Sequence, residues 1–218
     1  MSQRILITSG PTREYLDPVR YLTNGSSGRM GSALAEAVLQ QGDIPVVVSG
    51  PVTVVYLPEV EVHRVETTEQ MLQRCLELFP HCAGVIGAAA PCDFRPVIFS
   101  EQKMSKPKDG NGIVLRLTET PDILATLGKI KHSDQWSIAF ALETENGHDK
   151  ALEKRIQKHC DFIVLNGPDS IGEDAAIFQV FDASGEPRKK FSGSKQVFAK
   201  ELLCLVRTMN SECEKAEG

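Results

Sequence analysis

The chain lacks any apolar run approaching the ~18–20 residues that a membrane-spanning helix needs, so no membrane partner is expected. It has no C-x-x-C pair. Its six cysteines, Cys75, Cys82, Cys92, Cys160, Cys204 and Cys213, match no zinc-ligand spacing. They are expected to be buried or incidental thiols in a reducing cytoplasm. The opening MSQRILIT runs straight into a strand pattern and lacks the layout of a secretory leader. There is no internal repeat and no low-complexity linker. A net charge of −5 gives no whole-molecule reason to bind nucleic acid. Two phosphate-binding signatures are also missing. There is no G-x-x-x-x-G-K-[ST], and the glycines that should follow the first strand as G-x-G-x-x-G are spread instead over Gly10, Gly28 and Gly31. The second predicted strand ends in Ser49-Gly50-Pro51, with no carboxylate for a ribose.

What is present is an alternation of strand and helix patterns. With 41% hydrophobic and 24% charged residues, 218 residues can bury a full core. Strands are predicted at Ile5–Thr8, Pro45–Ser49, Glu61–Val65, Gly84–Ala88, Ile113–Leu117, Ser137–Leu142 and Asp161–Leu165. Helices are predicted at residues 31–41, 67–79 (capped by Thr67 or Thr68), from Thr120-Pro121-Asp122 onward (with Thr120 as cap and Pro121 at the first helical position), at 150–158 and at 194–208. Phe178–Phe181 and Lys189–Phe191 flank Asp182–Gly185 as a hairpin. The Lys-rich stretch 96–112 is predicted to be an exposed loop. Continuous apolar strands alternating with amphipathic helices predict an α/β fold with a mostly parallel, Rossmann-like sheet and helices on both faces. A mid-chain flap and a C-terminal hairpin are added to it. The expectation is one domain over residues 1–209 and a disordered polar tail over 210–218.

The most informative stretch is 20–31, RYLTNGSSGRMG, between the first strand and the first helix. Small and hydroxyl residues at a helix start present free backbone N–H groups and the positive dipole end to one point, which makes an anion site. Ser26, Ser27 and Gly28 are the expected phosphate cradle, with Arg20 and Arg29 as candidate phosphate contacts. In open α/β sheets ligands sit beyond the carboxyl ends of the strands. Those ends carry Ser9-Gly10-Pro11-Thr12, Ala89-Ala90-Pro91-Cys92-Asp93-Phe94, Glu143-Thr144 and Asn166-Gly167. Small residues there leave room for a flat ring. Asp93 and Asn166 could reach a ribose, a metal or a carboxylate.

The stretch ILITSGPTREYLDPVRYLTNGSSGRMG (5–31) resembles the opening of bacterial phosphopantothenoylcysteine synthetases, whose pattern runs strand, G-x-T-R-E-x-x-D-P-V-R, N-x-S-S-G-x-M-G. The resemblance continues through Ser49–Val52, AAAPCDFRP (88–96), Thr120–Leu124, Phe140–Thr144 and Asp161–Asn166. It implies a cytoplasmic, homodimeric ligase of coenzyme A biosynthesis. CTP with Mg²⁺ would activate the carboxylate of 4′-phosphopantothenate as an acyl-cytidylate, releasing pyrophosphate. L-Cysteine would then displace CMP. The resemblance implies catalytic roles for Asn24, toward the acyl intermediate, and for Lys103, on a flap that matches K-[IL]-K-K with Lys106 at its last position. It further implies nucleotide contacts from Gly10, Ser26, Ser27, Gly28, Ala89, Ala90, Asp93, Phe94, Lys106 and Phe140, and no protein-held metal. Ser105 in the flap and Pro91-Cys92 before Asp93 depart from the family pattern. Many relatives carry a flavin-dependent decarboxylase ahead of this domain. Here that decarboxylase is expected to be a separate polypeptide. The rival expectations are a flavin-dependent decarboxylase-type enzyme and a non-catalytic nucleotide-binding domain.

Overall fold

The structure, a computed structural model, describes residues 2–106, 112–142, 146–167 and 175–216. The side chains of Ala175 and residues 209–216 fall outside the description. The expected Glu143-Thr144 strand end also lies outside the described residues.

Six strands run parallel: β1 (Arg4–Ser9), β4 (Ile44–Ser49), β5 (Glu61–Arg64), β6 (Gly84–Gly87), β9 (Trp136–Leu142) and β10 (Phe162–Asn166). An antiparallel hairpin, β11 (Ala175–Phe181) and β12 (Pro187–Ser194), extends one edge. The spatial order is β12-β11-β10-β9-β6-β1-β4-β5. Its parallel part is the doubly wound order 3-2-1-4-5-6, with the switch point between β1 and β6. Two small ribbons lie outside the sheet: β2 (Arg13–Tyr15) with β3 (Tyr21–Thr23), and β7 (Phe94–Pro96) with β8 (Leu117–Glu119).

The strands form because their apolar residues are buried on both faces, as in other parallel sheets. Ile5, Ile7, Val47, Ile86, Ile138 and Val164 face α1 (Arg29–Gln40) and α5 (Lys195–Ala216). Leu6, Val46, Val48 and Val85 face α2 (Thr68–Leu78) and α3 (Ile123–Ile130). Ala139, Ala141 and Ile163 pack with Ala151 of α4 (Gly147–Gln157). The α1 stripe Ala33, Leu34, Ala37 and Val38 is small enough for α5 to approach with Phe198, Leu202 and Val206.

Several boundaries differ from the sequence reading. Helix α3 is capped by Asp122, whose carboxylate accepts from Ala125 N at 2.9 Å, and not by Thr120. The Thr120 hydroxyl is spent on the Cys92 carbonyl. The strand expected at 113–117 begins only at Leu117. The tail expected to be disordered from 210 is helical through Ala216, because Glu, Lys and Ala favour helix and no Gly or Pro interrupts them.

Candidate active site at the carboxyl ends of the sheet

β1 stops at Ser9, and the chain turns through Gly10 at φ 74°. A Cβ at Gly10 would sit 2.4 Å from Val52 Cγ1, so the turn needs glycine for space and for conformation. The switch point is stitched by backbone: Ala90 N donates to the Gly10 carbonyl at 2.9 Å, and Pro11 forms a parallel bridge with Ala90. Ala89 N donates to Thr8 Oγ1 at 3.3 Å.

Gly28 is the N-cap of α1, at φ 77°, and no side chain caps the helix. A helix start without a side-chain cap leaves its N–H groups for an anion. Ser26 and Ser27 precede it and line a cleft of about 470 Å³. Gly50–Thr53 beyond β4, Arg64 at the end of β5 with Val65 and Glu66 beyond it, Arg13 and Gln70 complete that cleft. Arg13 lies 4.5 Å over the Tyr21 ring, and Glu66 accepts from the Tyr15 hydroxyl at 2.6 Å. That hydrogen bond raises the Tyr15 phenol above its ordinary range. Below the cleft the Tyr56 hydroxyl donates to Ser9 Oγ at 2.8 Å and lies 3.1 Å from Ser49 Oγ, tying together the ends of β1 and β4.

Asn24 is exposed and fastened across the switch point. Its Nδ2 donates to the Pro91 carbonyl at 2.9 Å and lies 3.4 Å from the Ala90 carbonyl. Asn24, Ser26, Ser27, Gly28, Gly10, Ala89 and Ala90 are therefore gathered around the β1 and β6 ends. Asp93 and Phe94 follow at the start of the β7–β8 ribbon. Both are exposed, and the Asp93 carbonyl accepts from Thr120 N. Cys92 is buried between them and the sheet. Its N–H donates to Thr12 Oγ1 at 2.8 Å, and burial pushes its thiol up. Thr12 Oγ1 is also 2.9 Å from Thr68 Oγ1, and Thr68 N donates to the buried Glu14 carboxylate at 2.8 Å. The departure Pro91-Cys92 is thus built into a buried hydroxyl network.

Three predicted site residues are placed differently. Arg20 Nη1 donates to the Met104 carbonyl at 2.9 Å and pairs with Asp17 at 3.1 Å, so it braces the flap. Arg29 lines a separate hollow of about 230 Å³ with Ser32, Glu36 and Lys195, not the cleft of Ser26 and Ser27. Phe140 is half-buried against Phe198 of α5, with ring centroids 6.3 Å apart. Lys103 and Lys106 are exposed on the described part of the flap. Arg13, Arg64 and Tyr56 escaped the sequence reading. A basic residue at each strand end flanking the cleft was the signal that could have found the first two.

Among the described residues no group of three His, Cys, Asp or Glu side chains could hold a metal ion. Among the described residues no helix is long and apolar enough to cross a membrane.

Residues 1–209 match the family model described as "DNA/pantothenate metabolism flavoprotein C-terminal domain". The coenzyme A biosynthesis bifunctional protein CoaBC of Haemophilus influenzae is 35% identical over 210 residues, covering 95% of this chain and 50% of that protein. The chain therefore spans about half the length of such curated relatives. The crystal structure of the C-terminal domain of a CoaBC protein superposes with TM-score 0.81 at 33% identity, covering 97% of this chain and 99% of that one. A Cab2 complex with phosphopantothenate-cysteine shares the fold, with TM-score 0.76 at 15% identity over 97% of this chain and 89% of that one. The match over residues 1–209, with 35% identity over 95% of the chain to a CoaBC protein, places this chain in the DNA/pantothenate metabolism flavoprotein C-terminal domain family.

Proposed function

We propose that this domain is a phosphopantothenate–cysteine ligase that uses CTP. One observation carries the reading. The Asn24 amide spans from the uncapped α1 terminus to the Ala90-Pro91 carbonyls, so an anion cradle and a small-residue strand end meet at one switch point. The names of the CoaBC relatives and the phosphopantothenate-cysteine bound to Cab2 support the same chemistry.

In this reading a cytosine lies over Ala89, Ala90 and the backbone near Phe140, with Asp93 and Phe94 at the ribose. The phosphates run over Gly10 and Ser26–Gly28, with magnesium chelated by them. The carboxylate of 4′-phosphopantothenate attacks the α-phosphorus and pyrophosphate leaves. The amine of L-cysteine then attacks the acyl carbon, the acyl C–O bond breaks, CMP leaves with that electron pair on its phosphate oxygen, and the amine proton passes to solvent. Asn24 donates to an oxygen of the acyl-nucleotide. Lys103 and Lys106 neutralise charge from the flap, which Arg20 braces. Such stabilisation by fixed donors is the main protein contribution to nucleotidyl transfer. The work is cytoplasmic.

The domain would act as a homodimer. Val97, Ile98, Phe99, Val114, Leu115 and Leu117 are 41–91% exposed on and beside the β7–β8 ribbon. A contiguous apolar patch of this kind marks an association surface.

The test is pyrophosphate release from CTP, and separately ATP, with 4′-phosphopantothenate before and after L-cysteine is added. Product formation that needs all three substrates and prefers CTP is expected. Turnover with ATP alone would move the base assignment. No pyrophosphate with either nucleotide would leave a binding domain.

A further inference from the structure

Asp17 is fully buried, yet it sits in the turn between β2 and β3, on the outside of the sheet. Its carboxylate accepts four hydrogen bonds. Val19 N and Arg20 N donate to Oδ1 at 2.8 Å each, which closes the turn. Arg20 Nη1 at 3.1 Å and Met104 N at 3.1 Å donate to Oδ2. The last bond spans 87 residues of sequence. Arg20 Nη1 also donates to the Met104 carbonyl, so both polar groups of the Met104 backbone are taken by one ion pair. A second tie holds the same segment, from Ser100 N to the Leu16 carbonyl at 2.9 Å.

Burial alone would push the Asp17 carboxyl up. The three backbone N–H donors and the Arg20 guanidinium outweigh it and hold the group below the ordinary aspartate range, so the carboxylate is ionised at neutral pH. An ionised, buried acceptor with four donors in place is costly to leave half-satisfied. The Met104 N–H belongs to the peptide that links Lys103 to Met104. Whatever fixes that peptide fixes the root of the Lys103 side chain.

We propose that Asp17 is a positioning residue for the flap: its carboxylate, with Arg20, clamps the Lys103–Met104 peptide and thereby sets where the Lys103 ammonium stands. The proposal rests on the reading that Lys103 acts on the reacting substrates. Arg20 works with it from the other side, since its guanidinium bonds both the Asp17 carboxylate and the Met104 carbonyl. A displaced root would leave the ammonium present but misaimed, which lowers turnover more than it weakens binding.

The experiment has two arms, both on the full chain. In the first, trypsin cuts after Lys103, and the fragment ending there is followed by mass. The Lys106–Pro107 bond resists the enzyme, and a cut after Lys108 leaves a fragment of different mass, so the Lys103 cut is read separately. Asp17→Asn is expected to speed this cut about tenfold or more, because the clamped peptide opens more often. Asp43→Asn is the control. Asp43 is also largely buried, bonded to Arg207 at 2.6 Å and to Gln3 N at 3.0 Å, far from the flap. It is expected to lower Tm without speeding the Lys103 cut.

In the second arm, Asp17→Asn is expected to lower kcat by roughly 10–100-fold with KM for CTP within about twofold. Added to Lys103→Ala it should lower kcat no further, because both changes remove the same aimed ammonium. Should Asp17→Asn fail to fold, Met104→Pro deletes the flap N–H and restricts the Lys103 backbone before it, leaves the other three bonds of Asp17, and must lower kcat as well. Unchanged trypsin cleavage, or additive losses in the double variant, would overturn the positioning role while the Lys103 reading stands. Wild-type turnover in Lys103→Ala would overturn that reading, and the positioning proposal with it.

Discussion

Asn24 Nδ2 donates to the Pro91 carbonyl at 2.9 Å, which fastens the loop before α1 to the end of β6. The amide is exposed and makes no contribution to the core, so its value lies in the site. Replacing it by an isosteric carboxylate keeps the size, removes the donor and sets a negative charge among phosphates. Asn24→Asp is expected to lower kcat by about 10²–10³-fold, the cost of one preorganised donor to a developing oxyanion. Tm should move by no more than a degree or two, as for exposed sites generally. Steady-state kinetics beside a thermal melt checks both. A normal kcat would remove Asn24 from the chemistry.

Arg64 and Arg13 face the cleft that begins at Ser26 and Ser27. If the β- and γ-phosphates of the nucleotide enter that cleft, a guanidinium there favours CTP over CMP. Arg64→Met is expected to raise KM for CTP about tenfold, within the range for a hydrogen bond to a charged group. CMP, which lacks those phosphates, should bind the variant as it binds the parent. Equal losses for CTP and CMP, measured by competition and titration, would place the arginine elsewhere on the nucleotide.

The sheet was legible in the sequence wherever burial was two-sided. Val46-Val47-Val48 and Ile138-Ala139-Phe140-Ala141 are apolar runs because parallel strands meet helices on both faces. The phosphate cradle was legible for a local reason: Ser26-Ser27-Gly28 is next to the helix it serves. What escaped notice was held by partners distant in sequence. The β2–β3 ribbon has three-residue strands, too short for any period to show. Asp17 looks like an ordinary turn residue until Met104 is seen to donate to it. Arg29 is adjacent to the cradle in sequence, yet one step along a helix turns it toward α5. Spacing can mark residues as neighbours, but it cannot show which way a helix start faces.

Tyr56 bridges Ser9 and Ser49, both fully buried. Tyr56→Phe keeps the ring in the core and deletes the hydroxyl. Ser9 Oγ still donates to the Gly28 carbonyl at 3.4 Å, and Ser49 Oγ to the Gly50 carbonyl at 2.9 Å. Both then lose a partner without gaining water. The expected loss is about 1–3 kcal/mol of unfolding free energy, read from urea denaturation with an unchanged m-value. Because the bridge lies under the nucleotide cleft and touches no substrate group, kcat should change less than about threefold. A variant of full stability would mean that the hydroxyls re-pair locally.

Among the described cysteines Cys204 is exposed on α5, while Cys75, Cys82, Cys92 and Cys160 are buried. Burial raises all four buried thiols, that of Cys160 to about 11 despite the nearby Lys158 and Arg155. A thiol reacts as its thiolate, so access and acidity act in the same direction here. Of these five, iodoacetamide at pH 8 is expected to label Cys204 first, with Cys160 slower by roughly a hundredfold or more. Cys92 also sits where Asn24, Thr12 and Asp93 meet, so its protection depends on the strand ends staying closed. Nucleotide that binds across those ends should slow its labelling further and leave Cys204 unaffected. Peptide mapping with and without CTP reads both sites in one sample, and faster labelling of Cys92 with CTP would show that binding opens the switch point instead of bracing it.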